Sequence, residues 1–103
     1  EALNKAVQLD DSLAEAQYSI GVIWVEKAND MVEKINAPKV TDSEYKKLKA
    51  EQTGYFEKAL PFFERALVLM PEDPLTLDAL KVVYYKLDMT EKSMEMKKRL
   101  DEL

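Results

Sequence analysis

From Glu44 to about Leu69, neutral and apolar residues recur in alternating steps of three and four: Tyr45, Leu48, Gln52, Tyr55, Ala59, Phe62, Ala66 and Leu69 form one continuous helical seam. A second seam, Phe56, Leu60, Phe63, Leu67 and Met70, starts only at Phe56. One seam serves one neighbour and two serve two, so the segment before Phe56 is predicted to pair with a single helix and the segment after it with a second packing layer as well. Upstream, Ile20, Trp24, Met31 and Ile35 keep helical spacing, with Lys27 and Ala28 bridging them, and Ala2, Leu3, Ala6, Val7 and Leu9 give a shorter stripe. Downstream, Leu77, Leu80, Val83, Tyr84 and Leu87 share a face, and Met94, Met96, Leu100 and Leu103 punctuate a charged stretch. The pattern predicts helices near 1–9, 13–35, 43–70, 74–87 and 90–103 and no strand, an all-α fold.

The punctuation between seams agrees. Asp11 or Ser12 is placed to cap the second helix, with Glu15 at capping-box distance from Ser12. Asn36-Ala37-Pro38 ends that helix, because the residue before a proline leaves the α region and Pro38 brings no donor. Thr41 and Glu44 restart a helix at capping-box spacing. Asp73 caps a helix that opens at Pro74, and Asp88-Met89-Thr90-Glu91 turns the chain into the last one, whose charge suits a terminal cap. Inside the third helix, Pro61 removes the bond to the Glu57 carbonyl and predicts a bend. Gly54 either loosens that helix or permits a close helix approach.

Two stretches repeat one pattern. Leu77, Leu80 and Tyr84 fall where Gln17, Ile20 and Trp24 fall in the run from Ala14 to Trp24, with Lys81 at the site of Gly21. Leu3-x-x-Ala6-Val7-x-Leu9-Asp10-Asp11 matches Phe63-x-x-Ala66-Leu67-x-Leu69-Met70-Pro71. This resembles the tetratricopeptide repeat, a helix-turn-helix unit of about 34 residues with a W-x-x-L-G-x-x-Y, A-x-x-x-F, P signature. Ile20, Gly21, Trp24, Ala59, Phe63, Ala66 and Pro71 stand at its signature positions, Gln17 stands where a Trp would be, and the last repeat departs from it, with Ser93, Lys97 and Leu100 at the small-large-small triplet. The resemblance implies a solenoid of about five helices in one domain. Residues 1–12 would be the second helix of a truncated repeat, 13–73 a middle repeat and 74–103 the last repeat and cap. Asp11 and Pro71 mark equivalent ends 60 residues apart, so about 26 residues are inserted in the middle repeat, near 28–54. The continued periodicity there predicts a projecting antiparallel helical hairpin rather than a loop, longer by roughly 15 Å than an ordinary repeat.

Composition narrows the function. At 103 residues, 47% apolar and 34% charged with 2 Gly and 4 Pro, the chain is one helical domain. Its net charge of −5 argues against a nucleic-acid surface, which needs a basic stripe. No apolar run approaches the ~20 residues of a membrane span. The absence of Met at the start, inside what reads as a second repeat helix, predicts a piece of a longer protein with an upstream region.

With no His and no Cys, the common general bases, thiolate nucleophiles and soft metal ligands are missing. Asp10-Asp11, Glu72-Asp73 and Asp101-Glu102 sit at helix boundaries, where acids cap and solvate, and lack the spacing of a Ca²⁺ loop. Trp24 and Tyr84 invite a stacking role, but their spacing matches the core aromatic site of the family this chain resembles, which implies a place in the core, and Lys97-Lys98-Arg99 is flanked by acids as a solvated face is. No catalytic residue, cofactor or metal site is predicted.

The family resemblance implies a concave groove lined by the first helix of each repeat. In this chain that face carries Tyr18, Ser19, Val22, Val25 and Glu26 in the middle repeat and Asp78, Ala79, Val82, Tyr85 and Lys86 in the last. Family members that clamp acidic tails use Lys, Arg and Asn there, whereas Tyr18, Val22, Asp78 and Val82 favour an amphipathic helix or an apolar peptide. The expected function is a non-catalytic protein-interaction scaffold acting through the groove, the hairpin or both. The alternative is self-association, and a third reading is a part of an enzyme whose site lies upstream. The long hairpin with its segment Tyr55 to Pro61 looks like bacterial members of the family that are often exported, which favours a periplasmic over a cytoplasmic location without fixing either.

Overall fold

A computed structural model describes residues 2–103, with side chains from Leu13 onward. The elements are α1 (Ala2–Asp30), the one-turn α2 (Val32–Ile35), α3 (Asp42–Leu69), α4 (Pro74–Lys86) and α5 (Thr90–Asp101), and no strand occurs among the described residues. The stripe expected from Ala2 to Leu9 lies outside the described side chains. The break expected at Asp10-Asp11-Ser12 is absent, and the backbone runs helical from Ala2 to Asp30. Neither Asp nor Ser forbids a helix interior, each costing only tenths of a kcal/mol. At the equivalent point downstream Pro71 does forbid it, and α3 ends at Leu69.

The hairpin of α1 and α3 is built on small residues. Ala14, Gly21 and Ala28 recur every seven positions on α1 and are buried, as are Gln52, Ala59 and Ala66 on α3. The two ladders run antiparallel in one register: Trp24 stacks on Tyr55, Tyr18 meets Phe63, and the Gln52 amide donates to the Ala28 carbonyl at 3.0 Å. A seven-residue repeat of small side chains keeps two helices close over a long contact. Gly21 is where this matters most, since a Cβ there would lie 2.7 Å from the Phe63 ring. Gly54, by contrast, has nothing within 4 Å of a would-be Cβ, so it serves no close approach. The seam expected through Ile20 is displaced by these small residues, and Ile20 is exposed.

Near its tip the hairpin changes character. Met31 N–H bonds the Ala28 carbonyl at 3.2 Å, three residues back, and that same carbonyl takes the Gln52 amide, so α1 tightens and stops before one further turn, α2. The expected helix to Ile35 is therefore interrupted at Met31. The chain reverses through Pro38, and the Thr41 hydroxyl oxygen accepts from the Glu44 N–H at 3.2 Å to start α3, the N-cap half of a capping box. Pro61 lies inside α3, which remains one helix from Asp42 to Leu69.

The projecting hairpin gives the molecule extents of 60 × 25 × 16 Å and a radius of gyration of 16.2 Å, against about 13 Å for a compact chain of this size. Ala28 is wholly buried in the same core cluster as Phe56 and Phe63, so the inner ends of the 28–54 insertion belong to the body. Replacing Val32 to Lys49 by a four-residue turn is accordingly expected to leave a cooperative thermal melt by circular dichroism, with stability within about 2 kcal/mol. The burial lost at Ile35 is offset by chain entropy no longer spent on the arm. Replacing the whole of Ala28 to Gly54 removes the Ala28–Gln52 tie and is expected to abolish that cooperativity.

The second hairpin, α4 and α5, covers the seam of α3 that starts at Phe56. Leu77, Leu80, Val83 and Tyr84 bury against Phe56, Ala59, Phe63 and Met96. The Tyr84 hydroxyl donates to Glu64 at 2.8 Å, and burial, then that hydrogen bond, push its pKa above the ordinary phenol value. Ser93 on α5 donates to the Lys81 carbonyl at 2.8 Å, a contact that needs a small residue. Asp73 stands at the N-cap of α4, but its carboxylate accepts from the Thr76 hydroxyl at 2.7 Å rather than from a helix N–H. Asp88 takes φ 60° after α4, where Met89 N–H bonds the Tyr84 carbonyl and Asp88 N–H the Tyr85 carbonyl, the paired bonds of a Schellman turn.

Candidate functional site

Gly21 and Phe63 together shape a hollow that α1, α3 and α4 share. Because Gly21 lacks a side chain, the Phe63 ring slides under α1, and Tyr18 rests on it with ring centroids 5.6 Å apart and planes at 57°. Phe63 thus floors a groove of about 210 Å³ between α1 and α4, walled by Tyr18, Val22 and Val25 on one side and Leu75, Asp78, Ala79, Val82 and Val83 on the other. A larger hollow of about 460 Å³ lies over the connection from Met70 to Pro74 and is lined by that connection alone.

Of the ten residues predicted to line a groove, Tyr18, Val22, Val25, Asp78, Ala79 and Val82 do so. Ser19, Glu26, Tyr85 and Lys86 are exposed and outside the lining. Tyr85 is 66% exposed, which follows from its place one residue beyond the buried Tyr84, turned off the face that meets α1. Phe63, Leu75 and Val83 line the groove without having been predicted to. For Leu75 the signal was present, since 75, 79 and 82 keep helical spacing on α4. Phe63 carried a core signature and is core, being 1% exposed, and its second role as a floor depends on the missing side chain opposite.

The groove is apolar with one carboxylate at its rim. Asp78 pairs with Lys81 at 3.1 Å one turn away, an exposed ion pair worth little to stability. Such a lining accepts aliphatic or aromatic side chains and leaves a negative charge beside them. Among the described residues no group of acids is placed to hold a metal ion, and no helix is long and apolar enough to cross a membrane.

Trp24, expected in the core, is only half-buried. It lies flat on Tyr55, with centroids 6.0 Å apart and planes at 25°, and the ammonium groups of Lys27 and Lys58 sit 5.5 and 4.9 Å from its ring centroid. The small-residue ladder fills the seam where the indole was expected, and the ring closes the side of the hairpin remote from α4.

No family model matches this chain, and no curated protein or solved structure matches it either.

Proposed function

We propose that the chain is a non-catalytic protein-interaction scaffold of tetratricopeptide type that takes a peptide or a partner helix in the groove between α1 and α4. The observation that carries this reading is the open apolar trough floored by Phe63 and walled by Tyr18, Val22 and Val82. Two helical hairpins stacked side by side, with the leading helix of each facing the trough, support the repeat reading of the sequence. An apolar lining with an acid at its edge suits a ligand that inserts one or two large apolar side chains and carries a basic residue next to them.

The test uses the chain itself. Peptides enriched from a random twelve-residue display library are re-measured against Val22→Glu/Val82→Glu, which places two charges on the groove walls without touching Phe63. Binding is expected to fall at least tenfold, about 1.4 kcal/mol, with the far-ultraviolet dichroism unchanged. Enriched peptides that bind the variant as tightly as the parent chain would remove the groove from consideration. Sedimentation of the chain over micromolar concentrations separates this from the alternative, self-association, in which the groove is filled by another copy.

A further inference from the structure

The side of the α1/α3 hairpin turned away from α4 carries a second surface of opposite character. Lys27 and Lys58 are seated on the Trp24 ring, and the Arg65 guanidinium lies 5.6 Å from the Phe62 centroid. The one ion pair among the described residues is Asp78 with Lys81, so none of these three cations is paired with a carboxylate of the described side chains, in a chain with 20 acidic residues against 15 basic ones. Glu51, seven residues before Lys58 on α3, accepts the Tyr55 hydroxyl at 3.1 Å. At the other end of the surface, Leu13, Gln17, Arg65, Val68 and Leu69 enclose an almost wholly apolar hollow of about 320 Å³, and Val68 is 80% exposed. The side-chain oxygen of Gln17, which lines this hollow, is buried and accepts no hydrogen bond. A buried acceptor without a donor is uncommon in a finished surface.

From these observations we infer that this face docks an amphipathic helix of another polypeptide, with an apolar stripe flanked by carboxylates seven residues apart. Charge decides the class of partner. Three cations held over aromatic rings, and unpaired among the described residues, complement a carboxylate-bearing ligand and repel a basic one. Spacing decides the form. Lys58 and Arg65 are two turns apart, about 10.5 Å along α3, which a helix lying beside it matches with residues i and i+7. From Leu13 to Lys27 α1 runs about 21 Å, the length of a helix of four turns. The apolar stripe enters the hollow at Leu13 and Val68. This surface is distinct from the groove, and each stands without the other.

The experiment exploits Trp24, the single tryptophan of the chain. Two 18-residue probe helices share a leucine stripe, one flanked by Glu at i and i+7 and the other by Lys. The acidic probe is expected to shift Trp24 emission saturably at micromolar concentration and to bind at least tenfold more tightly than the basic one, with isothermal titration calorimetry as a readout independent of quenching. Lys58→Glu/Arg65→Glu is expected to reverse that preference, and Lys58→Gln/Arg65→Gln to erase it; both pairs are exposed, and dichroism checks their folds. Val22→Glu/Val82→Glu is expected to bind the acidic probe like the parent chain. No response up to millimolar probe, equal affinity for both probes, or loss of binding in the Val22/Val82 variant overturns the inference. An emission shift produced by concentrating the chain alone also overturns it, since the occupant is then a second copy.

Discussion

Phe63→Ala is expected to lower the unfolding free energy by about 3–5 kcal/mol in urea titration, the range for truncating a buried phenylalanine that leaves a cavity. The Phe63 side chain joins three elements. The ring lies under Gly21 of α1, against Tyr18, and within the cluster of Leu77, Leu80 and Val83 from α4. Its removal opens the floor of the groove into the core, and neither wall can close the space, because the small-residue ladder holds α1 at a set distance from α3. A loss below about 1.5 kcal/mol would show that the site collapses freely, and the account of Phe63 as the joint between the two hairpins would fail.

Gly21→Ala is expected to be destabilising by about 1–3 kcal/mol, although alanine in a helix interior is otherwise favoured over glycine by about 1 kcal/mol. The new methyl group would lie 2.7 to 2.9 Å from three atoms of a ring that packs against Tyr18 and is only 1% exposed. The decisive measurement is a double-mutant cycle. In a Phe63→Leu background the clash is reduced, and Gly21→Ala should become neutral or stabilising, so the two substitutions couple by more than 1 kcal/mol. Additivity would mean that the ring is not the obstacle.

Periodicity and caps made the all-α class, the hairpin, the restart at Thr41 and the helix at Pro74 legible in the sequence, because each rests on local chemistry that no tertiary contact overrides. Asp10-Asp11-Ser12 misled for the same reason in reverse. A capping signal permits a helix start but does not compel one, and only proline or a strained turn compels the preceding stop. The seam of α1 misled because large apolar residues announce themselves in a pattern and small ones do not. Ala14, Gly21 and Ala28 take the centre of the contact, leaving Ile20 outside and Trp24 at the edge. Six groove residues were legible from the repeat pattern on α1 and α4. Tyr85 and Lys86 were not separable from the true lining, because a helix face about 100° wide can shift by one residue without changing the pattern, and only the buried partner decides which edge is wet.

The distribution of apolar contacts along the hairpin also sets the order in which it can form. Toward the turn, Met31 and Ile35 are buried, but on α3 Tyr45 is exposed and Leu48 only half-buried, so pairs buried on both helices begin at Ala28 and Gln52, 24 residues apart, and widen from there. A hairpin with its strongest contacts beside the turn closes like a zipper from a short loop. Here the loop must close first, with little to reward the shorter pairings, and each further doubling of its length adds only about 0.6 kcal/mol to that entropic cost. The nucleus therefore favours the local pairing of α4 with α5 and its docking on the Phe56 to Phe63 turns of α3. The projecting tip, the part of the hairpin nearest in sequence to itself, condenses last and is the first to open.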